Sequence, residues 1–185
     1  MILFVNACVR NNSRTKRIAE SLLNKLKDSI EEVRLDNADF PNTDQAFLDW
    51  RDKCISSGDF SDSYFDYAKQ FARADTIVIA APLWDLSFPA VLKQYIEHIN
   101  ILGITFEYTP MGVPLGKCNA KKLYYITTAG GNYVPDEFGF GYIKALALNF
   151  YGIEDAKLIK ATGLDIIGND PDAIIKECIE NIVVG

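Results

Sequence analysis

Histidine is almost missing from this chain: 185 residues carry a single one, His98. The four cysteines, Cys8, Cys54, Cys118 and Cys178, lie far apart and form no C-x-x-C pair. The two shortages argue against a Cys/His zinc site, so no metal is expected, and they predict reduced thiols in a cytoplasmic protein. No segment approaches the run of about 20 apolar residues that spans a bilayer. The opening MILFVNACVR has no basic residues ahead of an apolar stretch that is itself too short for a secretory signal. Positive charge is also scarce, with 19 Lys and Arg against 25 Asp and Glu and a net charge of −6. Non-specific binding to nucleic acid or to an anionic membrane needs the opposite balance, so neither partner is expected.

What is present is ordinary for a globular fold: 49% apolar and 24% charged residues, in a length that suits one domain over residues 1–185. Ile2 to Val5 form a short buried strand, followed by a helix with Ile18, Leu22, Leu23 and Leu26 on one face. EVRL at 32–35 predicts a second strand. TIVIAA at 76–81 predicts a central parallel strand buried on both faces. Ser87, the proline after it and a stop at Gly103 bracket a helix over FPAVLKQYIEHINIL. KLYYIT at 122–127 is a fourth strand, FGYIKALALNFYG a helix with a terminal glycine, and AKLIKATGL a fifth strand or strand pair. Asp170 and Pro171 open a last helix. Strand and helix alternating in this way predict a doubly wound α/β domain with a parallel sheet. Residues 37–62 are too long for a plain connection. They carry Phe47, Trp50 and Cys54 at helical spacing, and are either a surface excursion packed by its own aromatics or a wall over a site.

In such a sheet ligands bind beyond the strand carboxyl ends, where the winding reverses. Three loops there are distinctive: 7–15 after the first strand, PLWDLSF at 82–88 and TAGGNYVPD at 128–136. The first concentrates Arg10, Ser13, Arg14, Thr15, Lys16 and Arg17 in an otherwise acidic chain. Ser13 and Thr15 are either a plain helix cap or, with the free first-turn amides and Arg10 and Arg14, a seat for a phosphate dianion. The loop has no glycine, so it matches neither the dinucleotide fingerprint nor the P-loop. A terminal monophosphate held by hydroxyls and amides suits it better than a pyrophosphate. Leu83, Trp84, Asp85, Leu86 and Phe88 suit the edge of a flat heteroaromatic ring, and Gly130 and Gly131 permit close backbone approach after Thr128.

SRT at 13–15, APLWDLSFPAVLKQYIEHI at 81–99, TFEYTPMGVPLGK at 105–117 and ITTAGG at 126–131 together resemble the flavodoxin-like NAD(P)H:quinone reductases and FMN-dependent NADH-azoreductases. That resemblance implies a flavodoxin-like five-stranded parallel sheet of order 2-1-3-4-5 with helices on both faces. It implies FMN, with its phosphate on Ser13, Arg14 and Thr15 and its ring against Leu83, Trp84, Asp85 and Leu86, closed in by Thr128, Ala129, Gly130 and Gly131. It also implies a homodimer with the site at the subunit interface. The activity implied passes a hydride from NAD(P)H through the flavin to a quinone, azo compound or similar small electrophile. The flavin carries that chemistry, so no acid–base dyad is required of the chain.

The chain departs from the family pattern at Asp85, where a neutral Asn is usual, at Leu86, which replaces an aromatic, and at Ala129. Tyr133 is the one candidate substrate contact beyond the glycine pair, and His98 is read as structural or interfacial. Two other classes share the alternating architecture. A flavodoxin-type electron carrier serving a protein partner would use a glycine-containing phosphate loop, which NNSRTKR is not. A phosphoacceptor receiver domain needs acidic strand ends, and Asn6, Ala7 and Cys8 exclude it. The basic cluster is therefore expected to mark a phosphate site.

Overall fold

A computed structural model describes residues 1–184; Gly185, the last residue of the expected domain, lies outside the described residues. Five parallel strands form the main sheet: β1 (Ile2–Asn6), β2 (Ile30–Arg34), β3 (Thr76–Ala80), β6 (Lys122–Thr128) and β7 (Asp155–Ala161). Their spatial order is β2-β1-β3-β6-β7. Counted among the parallel strands alone this is the expected 2-1-3-4-5. The extra pair, β4 (Phe106–Tyr108) and β5 (Pro114–Gly116), is a small antiparallel hairpin inside the 105–117 segment.

Side chains of successive strand residues point to opposite faces, so a strand covered on both sides must be apolar throughout. Leu3, Val5, Ile77, Ile79, Leu123 and Tyr125 enter one core, packed by α3 (Asp66–Arg73), α4 (Ala90–Ile99) and α5 (Phe140–Leu146). Ile2, Phe4, Val78, Ala80, Tyr124 and Ile126 enter the other, beneath α1 (Arg14–Leu26) and α6 (Pro171–Glu180). The helices therefore lie on both faces, and β1, β3 and β6 are the buried centre. Among the described residues no helix is long and apolar enough to cross a membrane.

Local chemistry sets most boundaries. Asp170 accepts from the amides of Asp172 and Ala173, with Pro171 as the first helical residue of α6. α5 widens at Ala147–Tyr151 and stops at Gly152, φ 72°, a conformation glycine adopts freely. Ser87 does not cap α4. Pro89 holds that position without a side-chain bond, the helix ends at Ile99 well before Gly103, and the Ser87 hydroxyl donates instead to the Phe138 carbonyl. β7 is one strand and not a pair.

The excursion contains α2 (Gln45–Ser57), capped by Asp44 at 2.9 Å from the Phe47 amide and closed by Gly58. None of its residues is buried. It is held by rings: Phe47 and Trp50 lie 5.2 and 5.4 Å from Tyr64, edge-on. No residue of 37–62 lines the cavity at the strand ends; Phe40, Phe47 and Arg51 of this segment instead line a second cavity with Tyr64 and His98.

Candidate functional site

β1 and β3 are neighbours, and the chain winds from them in opposite directions, so the crevice opens above their carboxyl ends. A cavity of about 470 Å³ lies there, walled by the loops after β1, β3 and β6 and by Leu164 and Asp165 after β7. A larger cleft of about 620 Å³ runs along the outer edge of β7 beside α6 and shares none of the three loops.

At one end of the cavity Ser13 caps α1, its hydroxyl accepting the Lys16 amide at 3.2 Å. The Arg17 amide is taken by the Ser13 carbonyl, so the amides of Arg14 and Thr15 precede the first intrahelical bond and face outward without a helical partner. The Thr15 and Thr128 hydroxyls, both buried, meet at 2.7 Å and bolt the helix start to the end of β6. Only one proton lies between two hydroxyl oxygens, so the other hydroxyl keeps a proton to donate.

The basic cluster is less free than its sequence suggests. Arg14 pairs with Asp165 at 2.7 Å, Arg17 with Asp172 at 2.7 Å, and Lys16 with Glu20 at 3.7 Å. Arg10, exposed at the cavity wall, has no carboxylate partner among the described residues. Below it Asn6 accepts the Cys8 amide at 3.0 Å and donates to Glu32 at 2.8 Å, which shapes the turn out of β1. Burial pushes the Cys8 thiol up to about 11.

The other wall is a tight turn. Trp84 and Ser87 exchange both backbone bonds at 2.8 Å, while Asp85 and Leu86 sit between them at φ 50° and 68°. Two central residues with positive φ define the hairpin turn that normally takes Asn-Gly. Leucine in that region is strained, by roughly 1–2 kcal/mol. Leu86→Asn, which tolerates the conformation, is therefore expected to raise the melting temperature by about 2–4 °C. A thermal melt that fell instead would mean that the Leu86 side chain is held by packing.

Of the sequence-derived candidates, Arg10, Ser13, Arg14, Thr15, Leu83, Trp84, Thr128, Ala129 and Gly130 come together in the cavity wall. Asp85, Leu86 and Gly131 do not line it, and Tyr133 stands outside with 71% of its surface exposed. Sequence reasoning missed Cys8, Val9, Asn12, Pro82, Leu164 and Asp165. Most of these fall inside or beside the loops already singled out, but nothing in the sequence distinguished Asp165. A cradle for a phosphoryl anion needs N–H donors, hydroxyls and a cation, and Ser13, the first-turn amides and Arg10 supply each kind. The Leu83 and Trp84 side offers a ring an apolar edge. The residues present thus fit FMN in chemistry and in size.

His98 is remote from this cavity and 7% exposed. Its Nε2 lies 2.7 Å from the Tyr64 carbonyl, so that nitrogen carries the proton, and Phe40, Tyr64 and Tyr67 pack around the ring. Desolvation holds its pKa below the ordinary value of 6.5 despite that bond. The unfolded chain therefore binds the proton first on acidification. Stability from this group is full above about pH 6.5 and is lost as the pH falls through the lower folded value. Because His98 is the sole histidine, His98→Gln is expected to flatten the stability-versus-pH slope just below pH 6.5, read by urea unfolding at several pH values.

Comparison with known proteins agrees with this geometry. An FMN-dependent NADH:quinone oxidoreductase of Clostridium perfringens strain SM101 is 37% identical over 193 residues, covering 98% of this chain and 96% of the relative. One from Lachnoclostridium phytofermentans is 39% identical over 189 residues, covering 95% and 92%. Among solved structures, an FMN-dependent NADH-azoreductase from Bacillus anthracis strain Ames Ancestor, in complex with FMN, superposes with a TM-score of 0.79. It is 26% identical, with 97% and 93% of the two chains covered. The profile of the flavodoxin-like fold family matches residues 1–184. With its strand order, its strand-end cavity and relatives matched over almost their whole length, the chain belongs to the flavodoxin-like fold family that includes the FMN-dependent NADH:quinone oxidoreductases.

Proposed function

We propose that this chain is an FMN-dependent oxidoreductase that takes a hydride from a reduced nicotinamide and delivers it to a quinone, an azo compound or a similar small electrophile. The observation that carries the reading is the single cavity joining an anion cradle at Ser13 to an apolar edge at Leu83 and Trp84. The relatives' names, FMN-dependent NADH:quinone oxidoreductase and NADH-azoreductase, support both cofactor and acceptor class and favour NADH as donor. When bound, FMN supplies the acceptance and release of hydride.

The chain's own residues bind and orient. The Ser13 hydroxyl, the amides of Arg14 and Thr15, and the Arg10 and Arg14 guanidiniums hold the phosphate. Thr15 and Thr128, bonded to one another, keep the helix start and the end of β6 at a fixed spacing. Leu83 and Trp84, with the strained turn at Asp85 and Leu86 behind them, set the ring edge. Ala129 and Gly130 close the opposite side with backbone, and Tyr133, exposed outside the cavity, is the candidate contact for an acceptor.

The protein acts as one domain and as a homodimer in the cytoplasm, without nucleic acid or membrane partners. Support for the dimer is the apolar surface left around the strand ends: Trp84, Leu86, Tyr133 and Phe138 are 38%, 48%, 71% and 55% exposed. Tyr151, by contrast, is buried and bonded to Asn100, and adds nothing to that surface. Four free thiols suit a reducing compartment.

The test is the visible absorption of protein loaded with FMN, desalted, and mixed anaerobically with NADH or NADPH. The expected result is a flavin band that survives desalting, bleaches with NADH and returns on adding menadione or an azo dye. A retained band that neither nicotinamide bleaches would leave an electron carrier in its place.

A further inference from the structure

We propose that Asp165 is a positioning residue for the phosphate end of the site. It fixes the Arg14 guanidinium and the Gly130 loop, and in doing so sets a carboxylate beside the phosphate. The inference rests on the flavin reading above. Three observations converge on this one side chain. Its Oδ1 accepts from Arg14 Nη1 at 2.7 Å. Its Oδ2 stands 2.4 Å from where a β-carbon on Gly130 would be, filling the space that only glycine leaves open. Its backbone amide donates to the Gly130 carbonyl at 2.9 Å, beside the bonds from Leu164 to Ala129 and from Gly163 to Gly131. Asp165 thereby ties together the start of α1, the loop after β6 and the loop after β7, and all three meet in the cavity wall.

An anion lining a seat for an anion opposes the ligand unless it serves another purpose. Here the purpose is geometric. A guanidinium has five N–H donors in a rigid fork, and the bond to Asp165 uses one edge and leaves the rest for phosphate oxygens. Without that bond Arg14, itself partly exposed, samples many rotamers. Lys16 and Arg17 are turned to Glu20 and Asp172, which leaves Arg10 and Arg14 as the cations at this wall. Charge and position therefore act in opposite directions at one residue, and two substitutions separate them.

Asp165→Asn keeps the volume and an acceptor oxygen but removes the charge. Asp165→Ala removes charge, acceptor and the support under Gly130 together. The measurement is fluorescence titration of the full-length, flavin-stripped protein with FMN and with riboflavin, at low and high salt, with melting curves to confirm folding. Asp165→Asn is expected to bind FMN about three- to tenfold tighter than wild type at low salt, with riboflavin unchanged and the gain fading near ~0.5 M salt. Asp165→Ala is expected to bind FMN about tenfold more weakly than Asp165→Asn. Equal FMN affinity in the two variants would overturn the positioning role. An unmoved FMN-to-riboflavin ratio in Asp165→Asn would overturn the placement beside the phosphate. Failure of wild type to take up either flavin would sink the flavin reading and this inference with it.

Discussion

Ser13→Ala is expected to weaken FMN binding about 10- to 100-fold while leaving riboflavin within about twofold. The Ser13 hydroxyl accepts the Lys16 amide and keeps its proton to donate to an anion, whereas the Thr15 oxygen is tied to Thr128. A hydrogen bond to a charged group contributes about 1.5–3 kcal/mol, and only the phosphorylated flavin has the charge. The same oxygen accepts the Lys16 amide as the cap of α1. Its loss therefore also removes about 1 kcal/mol of stability, a fall of ~2–4 °C in melting temperature. Titration of both flavins at a temperature where the variant is folded separates the two effects. Parallel losses for FMN and riboflavin would return Ser13 to being a helix cap and nothing more.

The largest loss of stability is expected at a residue distant from the phosphate. Gly116, in β5, lies so close to the end of the widened helical turn that a β-carbon there would stand 2.2 Å from the Gly152 nitrogen and the Tyr151 carbonyl carbon. Backbone faces backbone, so no rotamer change relieves the overlap. Tyr151 is itself fixed, buried against Phe71 and bonded through its hydroxyl to Asn100 at 2.7 Å. Gly116→Ala must separate the β4–β5 hairpin from this turn, at about 3 kcal/mol or more, lowering the melting temperature by roughly 6–12 °C. Gly131→Ala is the control: an added β-carbon there meets nothing within 4 Å, and the melt is expected to move by less than ~2 °C. Equal melts for the two variants would mean that the hairpin yields without resistance.

The sheet was legible because its central strands are buried on both faces, which forces uninterrupted apolar runs such as TIVIA, and because helices such as α1 and α6 open on a side-chain cap. The hairpin was not legible, since strands of three residues leave no periodicity to count. The turn at 84–87 was hidden for a different reason. Its type demands positive φ twice, and Asp-Leu carries no glycine to announce it, so Ser87 read as a cap when its amide and hydroxyl were committed elsewhere. At the site, the loops and their hydroxyls followed from strand order and local chemistry. The state of the charges did not follow. Arg14 meets Asp165 and Arg17 meets Asp172 across separations of 151 and 155 residues, which only the closed fold brings within reach.

One feature of the cavity wall bears on how such an enzyme would survive its own substrates. Quinones are electrophiles, and the species they alkylate is the thiolate. Cys8 lines the cavity in which such a molecule would dwell. Its Sγ is turned to the Ala80 carbonyl at 3.6 Å, and burial holds the thiol up to about 11. At neutral pH such a group stays overwhelmingly protonated. The end of β1 thus brings a cysteine to the wall of the cavity while keeping its sulfur turned inward and protonated, so that repeated turnover need not end in self-inactivation.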